Sequence, residues 1–435
     1  MSETPPFEGR PAAPPAAPGQ PINGSGPGVW DPEFFQNPYP TYAWLRENDP
    51  VRGITWPGPP GHAWLVTRYE DVHAGQADSR LRHDLTAFMA ELGIPEPPAI
   101  GGDVARLLGR NLTLLDAPDH PRLRAVLSRF FTKRRIEGMR PRIEVLADGL
   151  LDDLAERAGD GPVDLIQDFA WKLPLTVVCE LLGVPAEDHE LFGYGTDASR
   201  DQGATGEYAA GAVVAVERLR ALIGEKRANP ADDAFTSFVR ALDAGEFLDE
   251  DEVIAQAMLF VVAGHETTVD LLGNGIHALL SNPDQLKQLT ADPSLVTNTV
   301  EEVLRYYPPT DIVTPQYTAE PMAFGDVEVD RHQIVILSRA SANRDPERYP
   351  DPERFDITRN TAGHLGFGHG PHYCVGGMTA RIEGQTVFNR IFERFPDLRH
   401  AGDPGQVRWK SNPVARGLVS LPVELGTPRR PGKTA

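Results

Sequence analysis

The amino-acid sequence predicts a mainly α-helical fold with a small β region. The longest helical segment opens at Asp249, and no proline interrupts it before Pro283. At ~1.5 Å per residue such a helix would extend about 45–50 Å, which is enough to cross a domain. A second helix is predicted over residues 375–395, where apolar side chains recur on one face and a proline follows. Short apolar runs at 62–69 and within 310–340 predict the strands.

The composition limits the classes of function. With 24% charged and 40% hydrophobic residues, the chain is typical of a globular protein with a large core. Its formal net charge of −20 argues against nucleic acid or an anionic membrane as a general partner. The two cysteines, Cys179 and Cys374, form no disulfide framework, so a reducing compartment is expected. Because we find neither a signal pattern nor a run of about 18 apolar residues, we expect a cytoplasmic protein outside the membrane.

The chain divides into a central domain and two tails. Residues 1–28 are rich in Pro, Ala and Gly without apolar periodicity, which predicts a disordered tail. We expect one domain over 29–425 and a loose C-terminal tail over 426–435. Within the domain, Tyr39–Asn48 is predicted to be a short helix. Residues 80–112 contain several prolines and glycines, and we expect an irregular segment of the kind that forms binding loops.

A helix is predicted to begin near Pro121, since proline suits the first helical turn. His120 and Arg124 are four residues apart and would share one face of this helix. Segment 122–142 contains eight basic residues and one acidic residue. Nucleic-acid binding is a poor interpretation, because aromatic residues do not alternate with the charges. Two interpretations stay open: a solvated helix face, or a docking surface for an acidic partner.

Local spacing predicts several structural roles. Cys179 lies among apolar residues and is expected in the core. Asp249 is expected to cap the long helix, with Glu252 completing a capping box. Glu302 and Arg305 are three residues apart and would share a helix face, as an ordinary surface ion pair or as a buried one.

The middle of the long helix carries small and polar residues in an otherwise apolar stretch. Ala263 and Gly264 leave room for a ligand beside the helix. Glu266 and Thr267 follow, and burying such groups costs free energy unless they are hydrogen-bonded or used. A metalloprotease motif is excluded, because Val269 stands where the second histidine would be needed.

A Gly-rich loop surrounds Cys374. A thiolate is a strong ligand for soft metals, and nearby N–H groups or a helix N-terminus lower its basicity. Gly368 and Gly370 allow the backbone to fold tightly before the cysteine, and Gly376 removes a side chain after it. A loop with so few side chains around one thiolate suits a flat ligand.

This loop resembles the haem-binding loop of the cytochrome P-450 family, on Phe367, Gly370, His372, Cys374 and Gly376. The resemblance extends over roughly residues 30–425. It implies a cytochrome P-450 fold with haem b between the long central helix and the cysteine loop. It also implies that these five residues contact the cofactor and that Cys374 is the metal ligand. Such a thiolate pushes electron density onto the iron and favours O–O cleavage.

The resemblance implies further cofactor contacts. His120 and Arg124 would bind the haem propionates, as a histidine and an arginine do at this spacing in the family. Ala263 and Gly264 would lie against the haem face.

One departure concerns Gln316, because many bacterial members have an arginine near this position that binds a propionate. We expect His364 or His372 to compensate.

The same resemblance implies roles for the polar residues of the helices. Thr267 and Glu266 would be catalytic, since the family's alcohol and acid guide protons during dioxygen activation. Glu302 and Arg305 would be buried and would form a structural lock with Arg354.

Substrate contacts are expected from the segments 80–112 and 187–228 and from residues around Val313 and Val414. In the family, two helices corresponding to 187–228 cover the pocket and move on binding. The Ala-Gly-His-Glu-Thr-Thr pattern starting at Ala263 resembles that of bacterial members that tailor specialised metabolites, which implies a step of this kind.

The implied reaction inserts one oxygen atom from O₂ into a small organic substrate, by hydroxylation or epoxidation. Electrons would come from NAD(P)H through a ferredoxin reductase and a ferredoxin, because the chain shows no flavin or iron–sulfur motif. The basic segment 122–142 would then dock the ferredoxin near the thiolate side of the haem. We expect a monomer. Two alternatives stay open: a haem-thiolate enzyme for oxidative coupling or peroxide-driven oxidation, and an inactive scaffold that binds a partner enzyme.

Overall fold

The computed structural model describes residues 21–22, 26–56, 61–94, 102–157, 159, 161–196 and 205–429. Helices dominate these ranges: α1 Pro32–Gln36, α2 Tyr39–Asn48, α3 Tyr69–Gly75, α4 Leu85–Glu91, α5 Gly102–Leu108, α6 Asp119–Phe130, α7 Lys133–Gly138, α8 Arg140–Glu156, α9 Lys172–Leu182, α10 His189–Thr196, α11 Thr205–Ala228, α12 Ala234–Asp243, α13 Glu250–Ser281, α14 Pro283–Ala291, α15 Val296–Tyr306, α16 Arg339–Ala342 and α17 Gly377–Arg394. None of these helices combines the length and the apolar composition needed to cross a bilayer.

The strands are short: β1 Val51–Thr55, β2 His62–Val66, β3 Leu81–Arg82, β4 Val163–Asp164, β5 Gln316–Thr318, β6 Met322–Phe324, β7 Val327–Val329, β8 Ile334–Leu337, β9 Arg399–His400 and β10 Pro422–Glu424. They form a five-stranded sheet in the order β1-β2-β8-β5-β3, a three-stranded sheet in the order β4-β10-β9, and the hairpin β6-β7. Strand β2 runs parallel to β8, whereas β5 is antiparallel to β8. The prediction of a mainly α fold with a small β region is confirmed.

The long helix α13 forms the centre of the main core. Its apolar residues face several directions, which is typical of a helix surrounded by other elements. Helices α9, α15 and α17 pack against it. At Gly275 an added Cβ would lie 2.1 Å from Cζ of Phe388 on α17, so the glycine allows α17 to approach closely. Cys179 of α9 is fully buried in this core, as predicted.

The N-terminus of α13 is capped by Asp249, as predicted. The backbone N–H of Glu252 donates to Asp249 Oδ1 at 2.8 Å. The Glu252 carboxylate accepts from the backbone N–H of Leu248, rather than from that of the cap residue. It also accepts from both terminal nitrogens of the Arg122 guanidinium, at 2.7 and 3.0 Å. The acid therefore joins α13 to α6 in addition to closing the helix end.

One predicted segment differs from the structure, and another agrees with it. Residues 80–112 contain more regular secondary structure than expected, namely β3, α4 and α5. Within this segment, residues 95–101 lie outside the described part. The helices predicted within 187–228 are α10 and α11, and their connection at 197–204 also lies outside it.

At the chain ends, the disorder prediction for residues 1–20 and 23–25 lies outside the described residues, as does the one for 430–435. The described end of the N-terminal segment is in contact with the sheet, because the Ile22 N–H donates to the Gly53 carbonyl oxygen. At the other end, the Arg429 N–H donates to the Arg394 carbonyl oxygen.

The structural lock predicted around Glu302 contains a different arginine. Glu302 and Arg305 are both fully buried, and Arg305 Nε lies 2.7 Å from the Glu302 carboxylate. Arg354 contributes only its carbonyl oxygen to Arg305, and its side chain is 59% exposed. The guanidinium of Arg359 instead lies 3.5 Å from Glu302. The identification of Arg354 is thus corrected, because the loop turns its side chain outward and brings Arg359 inward.

Candidate active site

A cavity of about 360 Å³ lies between α13 and the loop that carries Cys374. Most of its wall is apolar and comes from several helices and loops: Leu112, Phe131, Val177, Val178, Leu181, Leu182, Leu259, Phe260, Ile312, Val313 and Val414. Val313 and Val414, which are expected to contact substrate, line this cavity, and so do His83 and Leu112 of the segment 80–112. No described residue of 187–228 lines the cavity, and α9 contributes Val177, Val178, Leu181 and Leu182.

Two glycines give the cysteine loop its shape. Gly368 and Gly370 have φ values of +75° and +73°, a region that side chains strongly disfavour. A Cβ on Gly370 would also lie 2.7 Å from the carbonyl oxygen of Gln76. The loop is closed by the backbone N–H of Cys374, which donates to the Phe367 carbonyl oxygen at 2.9 Å. At Gly376, a Cβ would meet no atom within 4 Å, because this residue faces the open cavity.

Cys374 is accessible in the cavity that it lines, and protein atoms surround its thiol closely. This burial raises the pKa of the Cys374 thiol. The Gly376 N–H and the guanidinium groups of Arg339, Arg124 and Arg381 act in the opposite direction. Helix α17 begins three residues later, at Gly377, and its N-terminus also favours a thiolate.

Ala263, Gly264 and Thr267 of α13 line the same cavity. The Thr267 hydroxyl donates to the Ala263 carbonyl oxygen one turn earlier, which holds the side chain in place. Gly264 has a second role that the sequence analysis did not foresee. A Cβ there would lie 3.1 Å from Cγ2 of Val178, so the glycine also lets α9 pack closely against α13.

Glu266 does not line the cavity, although its neighbour Thr267 does. Its carboxylate lies 3.2 Å from Nζ of Lys410, which also lies 2.9 Å from Asp270. Burial raises the pKa of Asp270 to about 6. Although burial opposes it, the two carboxylates raise the pKa of Lys410. No local sequence pattern marks this cluster, because Lys410 is 144 residues away from Glu266 along the chain.

Three histidines that line the cavity lie close to one another. The His372 ring lies 3.8 Å from the His83 ring and 4.0 Å from the His120 ring, between ring centres. Burial, followed by the two neighbouring histidines, lowers the pKa of His372 to about 3, so this ring is neutral. Burial and the nearby Arg124 lower the pKa of His120 in the same way. His120 Nε2 is buried without a hydrogen-bond partner, which leaves it available to a ligand.

The two histidines expected to compensate for Gln316, His364 and His372, lie in different surroundings. His372 lines the cavity, whereas His364 does not. His364 Nε2 lies 2.9 Å from the Glu301 carboxylate, which is also held by Arg381. His364 is therefore engaged outside the cavity, because the acidic partner on α15 draws its ring away. Several cavity residues could not be predicted from the sequence, and Arg339 and Glu383 are the ionisable ones among them that no local pattern marks.

These features fit haem. The cavity offers a thiol on one wall, small residues and a hydroxyl on α13, and apolar side chains over most of the remaining surface. The guanidinium group of Arg124 and the unpartnered ring nitrogen of His120 are suited to the cofactor's carboxylates. The predicted residues Phe367, Gly376 and Ala263 also belong to the wall. Gly370 shapes the loop without lining the cavity.

Comparisons with known proteins agree with this fit. The family model described as Cytochrome P450 matches residues 215–406. Cytochrome P450 107B1 of Saccharopolyspora erythraea is 44% identical over 403 residues, which cover 92% of this chain and 97% of the relative. Cytochrome P450 monooxygenase PikC of Streptomyces venezuelae is 40% identical, over 93% of this chain and 95% of the relative. The solved structure of the tirandamycin C-bound P450 monooxygenase TamI matches with a TM-score of 0.83 at 38% identity, over 91% of this chain and 99% of that one. The chain therefore belongs to the cytochrome P450 family.

Proposed function

We propose that the protein is a haem-thiolate monooxygenase that inserts one oxygen atom from O₂ into a small organic substrate of specialised metabolism. The observation that carries this proposal is that Cys374 and Thr267, from two separate elements, line one largely apolar cavity. When bound, haem b supplies the activation of dioxygen, which consumes two electrons and two protons and releases the second oxygen atom as water. The residues of the chain hold the cofactor, exclude water and deliver protons.

Cys374 is the iron ligand in this proposal. Three arginines and the Gly376 N–H favour its thiolate form against the effect of burial. The reduced, CO-bound protein should show a thiolate-type Soret band, and Cys374→Ser should abolish it. Cys179→Ala, at the core cysteine, serves as the control and should retain the band. A thiolate-type band in Cys374→Ser would contradict the assignment, and a parent protein without bound haem would favour the scaffold alternative.

Thr267 and Glu266 have distinct parts in proton delivery. Thr267 lines the cavity, and the proton of its hydroxyl, which is donated to the Ala263 carbonyl oxygen, is held at Oγ1 beside the proposed site of reaction. Glu266 faces Lys410 behind the cavity wall and is suited to resupplying that proton from the protein side. Thr267→Val should lower the product formed per NAD(P)H consumed about 10-fold or more, whereas Thr267→Ser should retain most of it. Equal coupling in the valine and serine variants would refute this role.

The source of oxidising equivalents separates monooxygenation from peroxide-driven oxidation and oxidative coupling. Product formation with NAD(P)H, a ferredoxin reductase and a ferredoxin should incorporate label from ¹⁸O₂. Turnover with hydrogen peroxide alone, or a coupled product without label, would favour the alternative.

The substrate is proposed to be a specialised metabolite with a largely apolar skeleton. Apolar side chains of α9, α13 and the residues around Val313 and Val414 form most of the wall. The related TamI binds tirandamycin C, which is consistent with a metabolite of this kind. A screen of such compounds for a shift in the haem spin state should identify ligands. Val414→Trp should weaken these shifts without altering the CO-bound spectrum, because Val414 is 37% exposed at the cavity wall and lies in the C-terminal segment.

Electron delivery by a ferredoxin is proposed to use a small part of the basic segment 122–142. Five of its arginines are paired with acidic side chains and one faces the cavity: Arg122, Arg129, Arg135, Arg140 and Arg142, and Arg124. Lys133 and Arg134 of α7 are exposed, and no described acidic residue lies within ion-pair distance of either. Helix α7 also packs against α17, which follows the cysteine loop.

The variant Lys133→Glu/Arg134→Glu should slow the reduction of the haem by ferredoxin, with little change when dithionite is the reductant. The difference in reduction rate between this variant and the parent should become smaller at high ionic strength, because exposed charges are screened. Arg331→Glu, on another surface, is the control. An unchanged reduction rate in the double variant would remove α7 from the docking surface. We further propose that the protein acts in the cytoplasm and that it is a monomer. Gel filtration of the purified protein tests its oligomeric state.

A further inference from the structure

Gln316 leaves the cavity without the cation that many bacterial members of the family carry at that position. Its side chain is buried, and Nε2 lies 3.1 Å from the ring nitrogen Nε2 of His83. Gln316 itself does not line the cavity. Arg124 is then the one arginine that the sequence analysis assigned to the haem carboxylates. Haem b carries two carboxylates, so a second cation is expected nearby.

Arg339 is in a position to supply that charge. It is the first residue of α16 and directly follows the strand β8 and its cap residue Ser338. Strand β8 is hydrogen-bonded to β5, with Val335 opposite Gln316. Arg339 therefore lies four residues beyond the register partner of Gln316, at the end of the neighbouring strand.

The Arg339 side chain lies in the cavity wall and against the cysteine loop. A Cβ on Gly368 would be only 2.8 Å from Nη2 of Arg339, so the loop glycine makes space for the guanidinium. Arg339 Nη1 donates to Thr310 Oγ1 at 3.1 Å, and Nε lies 3.4 Å from Gln76 Oε1. These are neutral partners, and they leave donors of the guanidinium unused.

The charge of Arg339 has no carboxylate partner within 4.0 Å among the described residues. Burial lowers its pKa to about 10, so the group is still a cation near neutral pH. An enclosed cation without an anion is costly, and the cost is removed when an anion binds in the same cavity. Arg124, the other arginine in the cavity wall, also lacks an acidic partner in the described chain. Two guanidinium groups are therefore available for the two carboxylates of haem.

We propose that Arg339 binds a haem propionate and supplies the charge that Gln316 lacks. This inference rests on the proposed function, because it requires haem in the cavity. An arginine offers a planar pair of N–H donors that matches a carboxylate, which lysine and glutamine do not. The anchoring charge has thus moved from β5 to the end of the adjacent strand β8.

Release of haem from the holoenzyme to excess apomyoglobin tests this role. A charge-assisted hydrogen bond lost from a buried site should accelerate release about 10- to 100-fold in Arg339→Gln. Arg339→Lys should show a smaller acceleration. The double variant Arg339→Gln/Gln316→Arg should return the rate to within about threefold of the parent, since it restores a guanidinium at the other strand. Arg331→Gln, at the surface, is the control and should release haem at the parent rate.

A chemically altered cofactor distinguishes propionate binding from an effect on the thiolate. The parent and Arg339→Gln are each reconstituted with haem dimethyl ester, in which both carboxylates are masked. If Arg339 binds a propionate, the two proteins should release the ester at similar rates. The same acceleration with the ester as with haem would show that Arg339 acts on Cys374 or on the fold, and would overturn the inference.

The unfolding temperatures of the haem-free proteins test whether Arg339 has only a structural role. Apo-Arg339→Gln should unfold at the parent temperature or above it, because it lacks a cation that no anion neutralises in the apoprotein. Apo-Arg339→Lys keeps that cation and should unfold at the parent temperature or above it as well. A lower unfolding temperature in both apoproteins, together with faster haem release, would assign Arg339 to the fold. A parent protein that binds no haem would instead refute the proposed function, so the two failures are distinguishable.

Discussion

Replacing Glu383 with glutamine should stabilise the protein, and the gain should grow with rising pH. Glu383 is 2% exposed on α17 and also contributes to the cavity wall. Its Oε2 has no hydrogen-bond partner, and the hydroxyl groups of Thr379 and Thr386 on the same helix lack partners as well. Burial raises the pKa of Glu383 from 4.5 to about 8, with no cation to oppose the shift. The carboxyl group is therefore protonated and neutral in the folded protein at pH 7.

The magnitude follows from proton linkage. Between pH 4.5 and about pH 8, the folded protein holds a proton at Glu383 that the unfolded chain has released, so rising pH favours unfolding. Each pH unit in this window costs about 1.4 kcal/mol, which amounts to about 3 kcal/mol at pH 7 and about 5 kcal/mol above pH 8. Below the unfolded-state pKa both states are protonated, and the cost vanishes. Glutamine has nearly the same shape and never ionises, so Glu383→Gln should remove the cost.

Thermal unfolding of the haem-loaded parent and variant over a range of pH measures this difference. For a chain of 435 residues, about 3 kcal/mol corresponds to a rise of about 3–4 °C in the unfolding temperature. The curves should converge near pH 4.5 and separate progressively up to about pH 8. Glu393→Gln, at an exposed position of the same helix, is the matched control and should follow the parent. A variant that is no more stable than the parent at pH 8, or a difference independent of pH, would refute the reasoning.

Two further substitutions test other buried charges. Arg305→Met should destabilise the fold by about 3–5 kcal/mol, because the fully buried Glu302 loses its nearest cation and keeps only Arg359, at 3.5 Å; chemical unfolding measures this, and a loss below 1 kcal/mol would contradict it. Lys410→Met should cost a similar amount near pH 7.5, since it removes the cation beside Glu266 and Asp270. That cost should shrink at pH 5, because Asp270, whose pKa burial raises to about 6, is then protonated; unfolding temperatures at the two pH values decide this, and an equal loss at both would contradict it.

Local sequence specifies the secondary-structure elements and the chemistry that their residues carry. The mostly apolar segment after Asp249, which contains no proline before Pro283, specifies α13, since helix formation depends on neighbouring residues and on capping. The glycines around Cys374 specify a bare loop at one thiol, because their φ values admit few other residues. Thr267 and Ala263 could be assigned to the same site by resemblance, since their spacing on α13 is fixed by the helix itself.

Which distant groups come into contact depends on tertiary packing. Arg359 replaces Arg354 beside Glu302, and His364 turns to an acid outside the cavity. Lys410 reaches Glu266 across 144 residues of chain, and Arg339 enters the cavity from the end of a strand. Long side chains can point to either side of a loop, and the side is chosen by burial and by the charges that other elements bring. That choice depends on packing between segments far apart in the chain, which no local pattern records.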